Sequence, residues 1–272
     1  MNTSVSWIPT KLFFQNYIDA FYVMDYVKTF FNTVIVMVLS AVLEVAACGV
    51  AAYGFARFKF KGRGLLFGLV LLTAIVPVQI LVIPQFLNYR YFNLGYLVDL
   101  INLIPGVNIP FLDLSDSPFT FWLPSMFGVG LRSGLFVFIY RQFFKGLPKE
   151  LEEAAYIDGA SALTAYIRVI LPSSGVAMLT VSIFSIVWHW NDYYLSSMFF
   201  NNNPPLSQKL TELRTLLDFS GQVTTITKQE LVFLKEGILA CGCLVTILPP
   251  LILYIFAQKF FTEGLERSGI VG

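Results

Sequence analysis

A series of apolar runs too long for a soluble domain dominates this sequence. A helix needs about 20 apolar residues to cross a bilayer's hydrocarbon core. Five stretches approach that length: residues 30–55, 65–87, 121–144, 173–190 and 237–258. Hydrophobic residues make up 56% of the 272-residue chain and charged residues only 13%, against about 25% charged in soluble domains. That excludes a water-soluble globule, a disordered chain and a disulfide-stapled secreted domain. Lys plus Arg (18) nearly balances Asp plus Glu (17), so no basic field points to nucleic acid. Cys48, Cys241 and Cys243 lie within apolar runs and read as small hydrophobes. The expected fold class is all-α, a polytopic membrane helix bundle with five spans. Pro77, Pro84, Pro249 and Pro250 fall inside the runs. Kinked helices are expected, because neighbouring helices can satisfy the backbone groups that proline frees. The third run is the least regular, broken by Gly128, Gly130, Arg132 and Gly134.

Orientation follows from where the cations collect. Ten of the eighteen occupy three short connections: Arg57, Lys59, Lys61 and Arg63 after the first run, Arg141, Lys145, Lys149 and Arg168 after the third, and Lys259 and Arg267 in the tail. The basic side is cytoplasmic, which sets residues 1–29 outside, the spans within 30–258 and the tail 259–272 inside. Residues 1–26 carry no cleavable-signal pattern, yet this orientation requires them to be translocated.

The connection at 147–172 is the most informative part of the chain. Pro148 suits the first turn of a helix, and Glu150, Glu152 and Glu153 complement the positive end of its dipole. Ala154 and Ala155 favour helix and leave a small surface for close docking. Gly159 permits a turn that a side chain would obstruct. A second short helix is expected, with Leu163, Tyr166, Ile167 and Ile170 at helical spacing, ending at Pro172. Together these form a helix-turn-helix elbow shaped to sit in another protein's groove.

Glu153-Ala154-Ala155, three residues, Gly159, nine residues, Val169, one residue and Leu171-Pro172 resembles the EAA loop of ABC-importer permease subunits. Ile is usual in the family where Val169 stands. Asp158-Gly159-Ala160 looks like the carbohydrate branch, the maltose-type inner-membrane permeases. So do Asn16-Tyr17, the run from Ala51 to Phe58, Trp190-Asn191-Asp192, and the tail Gln258-Lys259-Phe260-Phe261 with Gly264-Leu265. The resemblance implies the type I ABC importer permease fold in a bacterial cytoplasmic (inner) membrane, with the C-terminus cytoplasmic. It implies a second homologous permease subunit, two ATP-binding subunits, an extracytoplasmic solute-binding protein and a carbohydrate substrate, with an oligosaccharide expected. This chain would hold no cofactor, ATP and Mg residing on the partner subunits, and would be a transport subunit rather than an enzyme. Coupling to the ATPase would fall to Glu153, Ala154, Ala155, Asp158, Gly159, Ala160 and Leu163. Glu153 would make a polar contact in the ATPase groove, the three alanines would permit close approach and Gly159 would set the elbow angle. The tail 263–272 and the outer segment 200–236 would reach the ATPase and the binding protein respectively.

Two departures from the family stand out. Permeases of this branch usually have six spans, and a helix upstream of the first would resolve the translocation difficulty; a true five-span subunit is the other reading. The outer segment 91–119, with Asp99, Asp113, Asp116, Pro105, Pro110 and Pro118, is longer than usual and reads either as a docking surface or as an ordered cap.

Glu44 lies midway through the first run, where an ionisable group is costly and usually faces the bundle interior or a watery path. It reads as lining the pathway, or as bonded between helices through Ser40 or a neighbouring span. Arg132 reads as snorkelling at the outer boundary, or as a pathway residue. Trp188, Trp190, Tyr193 and Tyr194 suit either an interfacial belt or sugar stacking, with Trp190, Asn191 and Asp192 as candidate pathway residues. His189, the sole histidine, reads as an interface residue without metal-ligand company. No phosphate-cradling loop or catalytic triad is present. The alternatives are an ABC permease for another solute, such as a phosphorylated glycerol, or an ATP-independent secondary transporter or channel.

Overall fold

The computed structural model describes residues 14–93, 97–104, 108–219 and 228–269. Residues 1–13 of the outer N-terminal segment, 220–227 of the second outer segment and 270–272 of the tail lie outside the described residues, as does Pro105. Helix α1 (Gln15–Val23) leads into α2 (Tyr26–Arg57), followed by α3 (Arg63–Ile75) and α4 (Val78–Arg90). A short α5 (Leu97–Asn102) precedes α6 (Phe119–Met126) and α7 (Ser133–Gly146). The loop helices are α8 (Glu150–Ile157) and α9 (Ala162–Ser173). The chain closes with α10 (Gly175–Trp190), α11 (Tyr194–Phe199), α12 (Leu206–Phe219) and α13 (Lys228–Gly269). Among the described residues the only β-like pairing is one bridge between Phe92 and Leu112.

Among the described residues two stretches, Tyr26–Arg57 and Lys235–Phe260, are each long and apolar enough to cross a membrane alone. Two more qualify only as bent pairs, α3 with α4 and α9 with α10. The second run is therefore broken where the sequence suggested a kink: α3 and α4 meet at 100°. Val76 is forced into an extended conformation (ψ 123°) by the ring of Pro77, which itself offers no N–H. The third run is two helices, not one. Gly128, at φ +66°, ends α6, and Arg132, at φ +65°, precedes α7. Pro84, Pro249 and Pro250 leave their helices continuous.

The tolerance of α13 for its proline pair has a specific cause. Pro249 and Pro250 cannot donate to the carbonyls four residues back, Val245 and Thr246. Tyr26 Oη donates to Val245 O at 2.9 Å, and Trp190 Nε1 donates to Thr246 O at 3.0 Å. Both orphaned acceptors are thus met by side chains of α2 and α10. At the π-helical turn Val34–Val38, Val36 O accepts from Leu39 N and also from Ser40 Oγ and Trp122 Nε1.

The core lies around α2, which packs against α6, α7 and α10. Tyr140, Phe136, Phe144, Ile170 and Cys48 are fully buried there. Glycines set the closest approaches. A Cβ on Gly134 would lie 2.4 Å from Val70 O and 2.5 Å from Thr73 Oγ1, so α7 rests directly on the backbone of α3.

Candidate functional site: a helix-turn-helix elbow and a buried polar cluster

The loop after α7 forms a helix-turn-helix. Helix α8 carries Glu150, Glu152 and Glu153 in its first turn, where they complement the dipole. It ends where Gly159 adopts φ +80°, a left-handed conformation that side chains disfavour. The turn closes through Gly159 N to Tyr156 O (3.0 Å) and Ala160 N to Ala155 O (2.9 Å). Ser161 then caps α9 by accepting from Thr164 N. A π-helical turn follows at Tyr166–Ile170, and α9 meets α10 at 84° around Ser174.

Helical phase divides α8 into two faces. Glu152 and Ala155, three residues apart, are buried against the chain itself, whereas Glu153, Ala154, Tyr156, Asp158 and Gly159 are exposed. Ala155 was expected to face a partner; it is turned inward, on the face that Arg57 draws towards α2. Ala160 is half-buried and Leu163 exposed. The free face also carries Ile157, 85% exposed, and Ile167. Neither isoleucine had been singled out for a surface role.

The inner face is fastened to the C-terminal end of α2. Glu152 Oε2 lies 2.9 Å from Arg57 Nε, a close charge pair not aligned as a hydrogen bond. Tyr53 Oη donates to Glu152 Oε1 at 2.5 Å, and Arg57 Nη2 donates to Leu147 O at 3.0 Å. Tyr53 also lies against Tyr166 of α9, ring centroids 4.9 Å apart. Nearby, Lys145 is held below the usual lysine range, chiefly by the Arg141 guanidinium one turn earlier.

Farther along α2, Glu44 is fully buried. Ser133 Oγ of α7 donates to Oε1 at 2.5 Å and Ser185 Oγ of α10 to Oε2 at 2.8 Å. Ser40 does not take part, because its hydroxyl is engaged by Val36 O. His189 Nδ1 sits 3.6 Å from Oε2 and 2.9 Å from Ser185 O. A carbonyl can only accept, so Nδ1 carries the hydrogen. His189 is thus an interior residue, not the interface residue expected, since its ring completes the polar cluster. A cavity of about 210 Å³ adjoins it, lined in part by His189, Ser125, Ser133 and Arg132.

Of the four candidate pathway residues, Glu44, Trp190 and Asp192 are buried in this chain's own bundle and Asn191 is exposed. Asp192 accepts from Ser196 N and Oγ at the start of α11. Arg132 stays exposed, donates to Ala74 O and lies over the Trp188 ring. The outer segment is tied down by Asp116, whose carboxylate accepts from Asn201 N, Asn202 N and Asn202 Nδ2. Among the described residues no group of His, Cys, Asp or Glu is arranged to hold a metal.

Residues 45–266, which include the elbow and most of the bundle, match the binding-protein-dependent transport system inner membrane component family. The chain belongs to this family. As a family member it is a multi-pass permease, a transport subunit rather than an enzyme, and works with ATP-using and solute-binding partners and a second permease. It is 27% identical over 98% of its length to the osmoprotective compounds uptake permease protein GgtD of Synechocystis sp., covering 79% of that protein. It is 28% identical over 97% of its length to the arabinooligosaccharides transport system permease protein AraQ of Halalkalibacterium halodurans, covering 81%. The probable starch degradation products transport system permease protein AmyC of Thermoanaerobacterium thermosulfurigenes is 28% identical over 98% of the chain, 84% of its own length being covered. The fold is similar to a crystal structure of a bacterial ABC transporter involved in the import of the acidic polysaccharide alginate. The TM-score is 0.69 at 20% identity, over 96% of this chain and 84% of that one.

Proposed function

We propose that this permease forms half of the translocation pathway of an ATP-driven importer for oligosaccharide in a bacterial cytoplasmic membrane, its C-terminus cytoplasmic. Its assembly would comprise one second permease, two ATP-hydrolysing subunits and one extracytoplasmic binding protein. The observation that carries the coupling role is the elbow, with Glu153, Ala154, Asp158 and Leu163 on an exposed face around a left-handed Gly159. ATP closes the nucleotide-binding dimer, the elbow carries that movement into the spans, and the pathway opens outward to receive sugar. Asn191, exposed beside α10, is the candidate that can meet solute without repacking the bundle. The relatives named for arabinooligosaccharides and starch degradation products support a sugar substrate. GgtD, named for osmoprotective compounds, supports the second reading, an ABC permease for another solute.

The test is uptake by the purified complex in proteoliposomes, using labelled arabino- or malto-oligosaccharide with and without ATP. Gly159→Pro should abolish uptake and recovery of the ATPase subunit while leaving membrane insertion intact. Proline cannot reach φ +80° and lacks the N–H that bonds Tyr156 O. Uptake without ATP would revive a channel or secondary transporter. Binding of a non-sugar solute by the partner binding protein would move the substrate to the second reading.

A further inference from the structure

The elbow is joined to the bundle through the chain at two places, and a third connection is not covalent. Its covalent route to α7 passes through residues 147–149, and its route into α10 turns an 84° corner at Ser174. The non-covalent route is the Glu152–Arg57–Tyr53 cluster, which fastens α8 to the end of α2. Both charged side chains are nearly enclosed, at 7% and 8% exposure. A pair this buried resists opening, because separating it strands an uncompensated charge. The second elbow helix meets the same end of α2: Tyr166 lies against Tyr53, and a Cβ on Gly49 would lie 2.6 Å from Tyr166 Oη. Arg57 is thirteen residues from Glu44, about 20 Å along a helix rising 1.5 Å per residue. Helix α2 therefore connects the elbow to the buried polar cluster shared with α7 and α10.

We infer that Glu152 and Arg57 are positioning residues that latch the elbow to α2, so that elbow movement displaces α2 and with it the Glu44 cluster. The inference rests on the proposed docking of the elbow to the ATPase. It differs in assigning the mechanical output to the first span of this chain, through a charge pair on the elbow's hidden face. Glu153 meets the partner, and Glu152, one residue before it, meets the bundle. Tyr53 holds Glu152 from the second oxygen and keeps the carboxylate aimed at Arg57.

The test uses the complete assembled transporter in proteoliposomes and reads ATP hydrolysed per sugar transported, together with recovery of the ATPase subunits. Glu152→Gln keeps the size of the side chain and an acceptor for Tyr53 while removing the charge. It should leave ATPase recovery at the wild-type level and raise the ATP-to-sugar ratio at least tenfold. Tyr53→Phe leaves both charges in place and should raise the ratio less, by about twofold to fivefold. The exchange of both charges, Glu152→Arg with Arg57→Glu, should bring the ratio back towards wild type relative to either single change. An unchanged ratio in both Glu152→Gln and Tyr53→Phe, with ATPase subunits retained, would overturn the latch and leave the elbow docking intact. Retention of the ATPase subunits by Gly159→Pro would instead overturn the docking on which the latch rests. Should Glu152→Gln fail to assemble, Tyr53→Phe alone decides, an unchanged ratio counting against the latch.

Discussion

Replacing Trp190 by phenylalanine tests how α13 carries two consecutive prolines through the bundle. The change removes the 3.0 Å bond from Nε1 to Thr246 O while leaving a ring where Trp190 packs edge-on against Phe30 at 5.9 Å. Thr246 O has no helical donor, because residue 250 is proline. The loss therefore strands a buried acceptor, at about 1–3 kcal/mol in proteins generally. Hydrogen bonds between membrane helices average about 0.6 and reach about 1.7 kcal/mol, so about 1–2 kcal/mol is expected here. Pro250→Ala supplies the missing N–H. In the Trp190→Phe background it should recover much of that loss, whereas in the wild type, with the acceptor already met, it should do little. The coupling in the double-mutant cycle should then be about 1 kcal/mol, and Tyr26→Phe with Pro249→Ala gives a second cycle for Val245 O. Unfolding in mixed detergent micelles, followed by far-ultraviolet circular dichroism, avoids the lost tryptophan signal. Additivity within about 0.3–0.5 kcal/mol in both cycles would refute the exchange of donors.

Glu44→Ala strands the hydroxyls of Ser133 and Ser185 and should cost about 1–3 kcal/mol across the two bonds. Glu44→Gln, which keeps an acceptor for Ser133, should cost less than half as much in the same unfolding assay. Gly134→Ala drives a methyl group against Val70 O and should destabilise by about 1–3 kcal/mol. Gly68→Ala on the facing α3, with nothing within 4 Å, should stabilise by up to about 1 kcal/mol; thermal melts of the pair in detergent should move in opposite directions. Asp116→Ala removes the acceptor shared by Asn201 and Asn202. At about 0.5–1.5 kcal/mol for each of the three bonds, outer-segment cleavage in limited proteolysis should rise at least about tenfold.

Membrane class, helical architecture and the elbow were legible in the residues because each rests on a local signal: the length of the apolar runs, and a glycine between two amphipathic helices. The break at Pro77 was only half legible. A proline in a run permits either a bend or continuity, and the outcome depends on whether a neighbour meets the freed carbonyl. Trp190 and Tyr26 do so for α13, but that pairing is set by tertiary contact over more than fifty residues. The partners of Glu44 were hidden for the same reason. Serines at 133 and 185 have no sequence periodicity relating them to position 44, so the residues allowed either Ser40 or an unnamed neighbouring span; the span is the partner, and Ser40 bonds Val36 O four residues back. His189 followed the aromatic residues around it into an interface reading, although its ring nitrogen faces the one buried carboxylate of α2.

The two neighbouring glutamates of the elbow show why residue type alone could not assign these roles. Helical phase turns Glu152 into the bundle, where Arg57 and Tyr53 meet both of its oxygens, and leaves Glu153 in the open. On the open face Ile157 is 85% and Leu163 61% exposed. Burying such a side chain fully contributes about 1.5–3 kcal/mol, so a partner covering both stands to gain several kcal/mol before any polar contact is counted. The inner face is fastened by charge and the outer face is apolar with acidic neighbours. Under the proposed docking, that asymmetry would let a partner engage and release the elbow repeatedly while its hold on α2 persists.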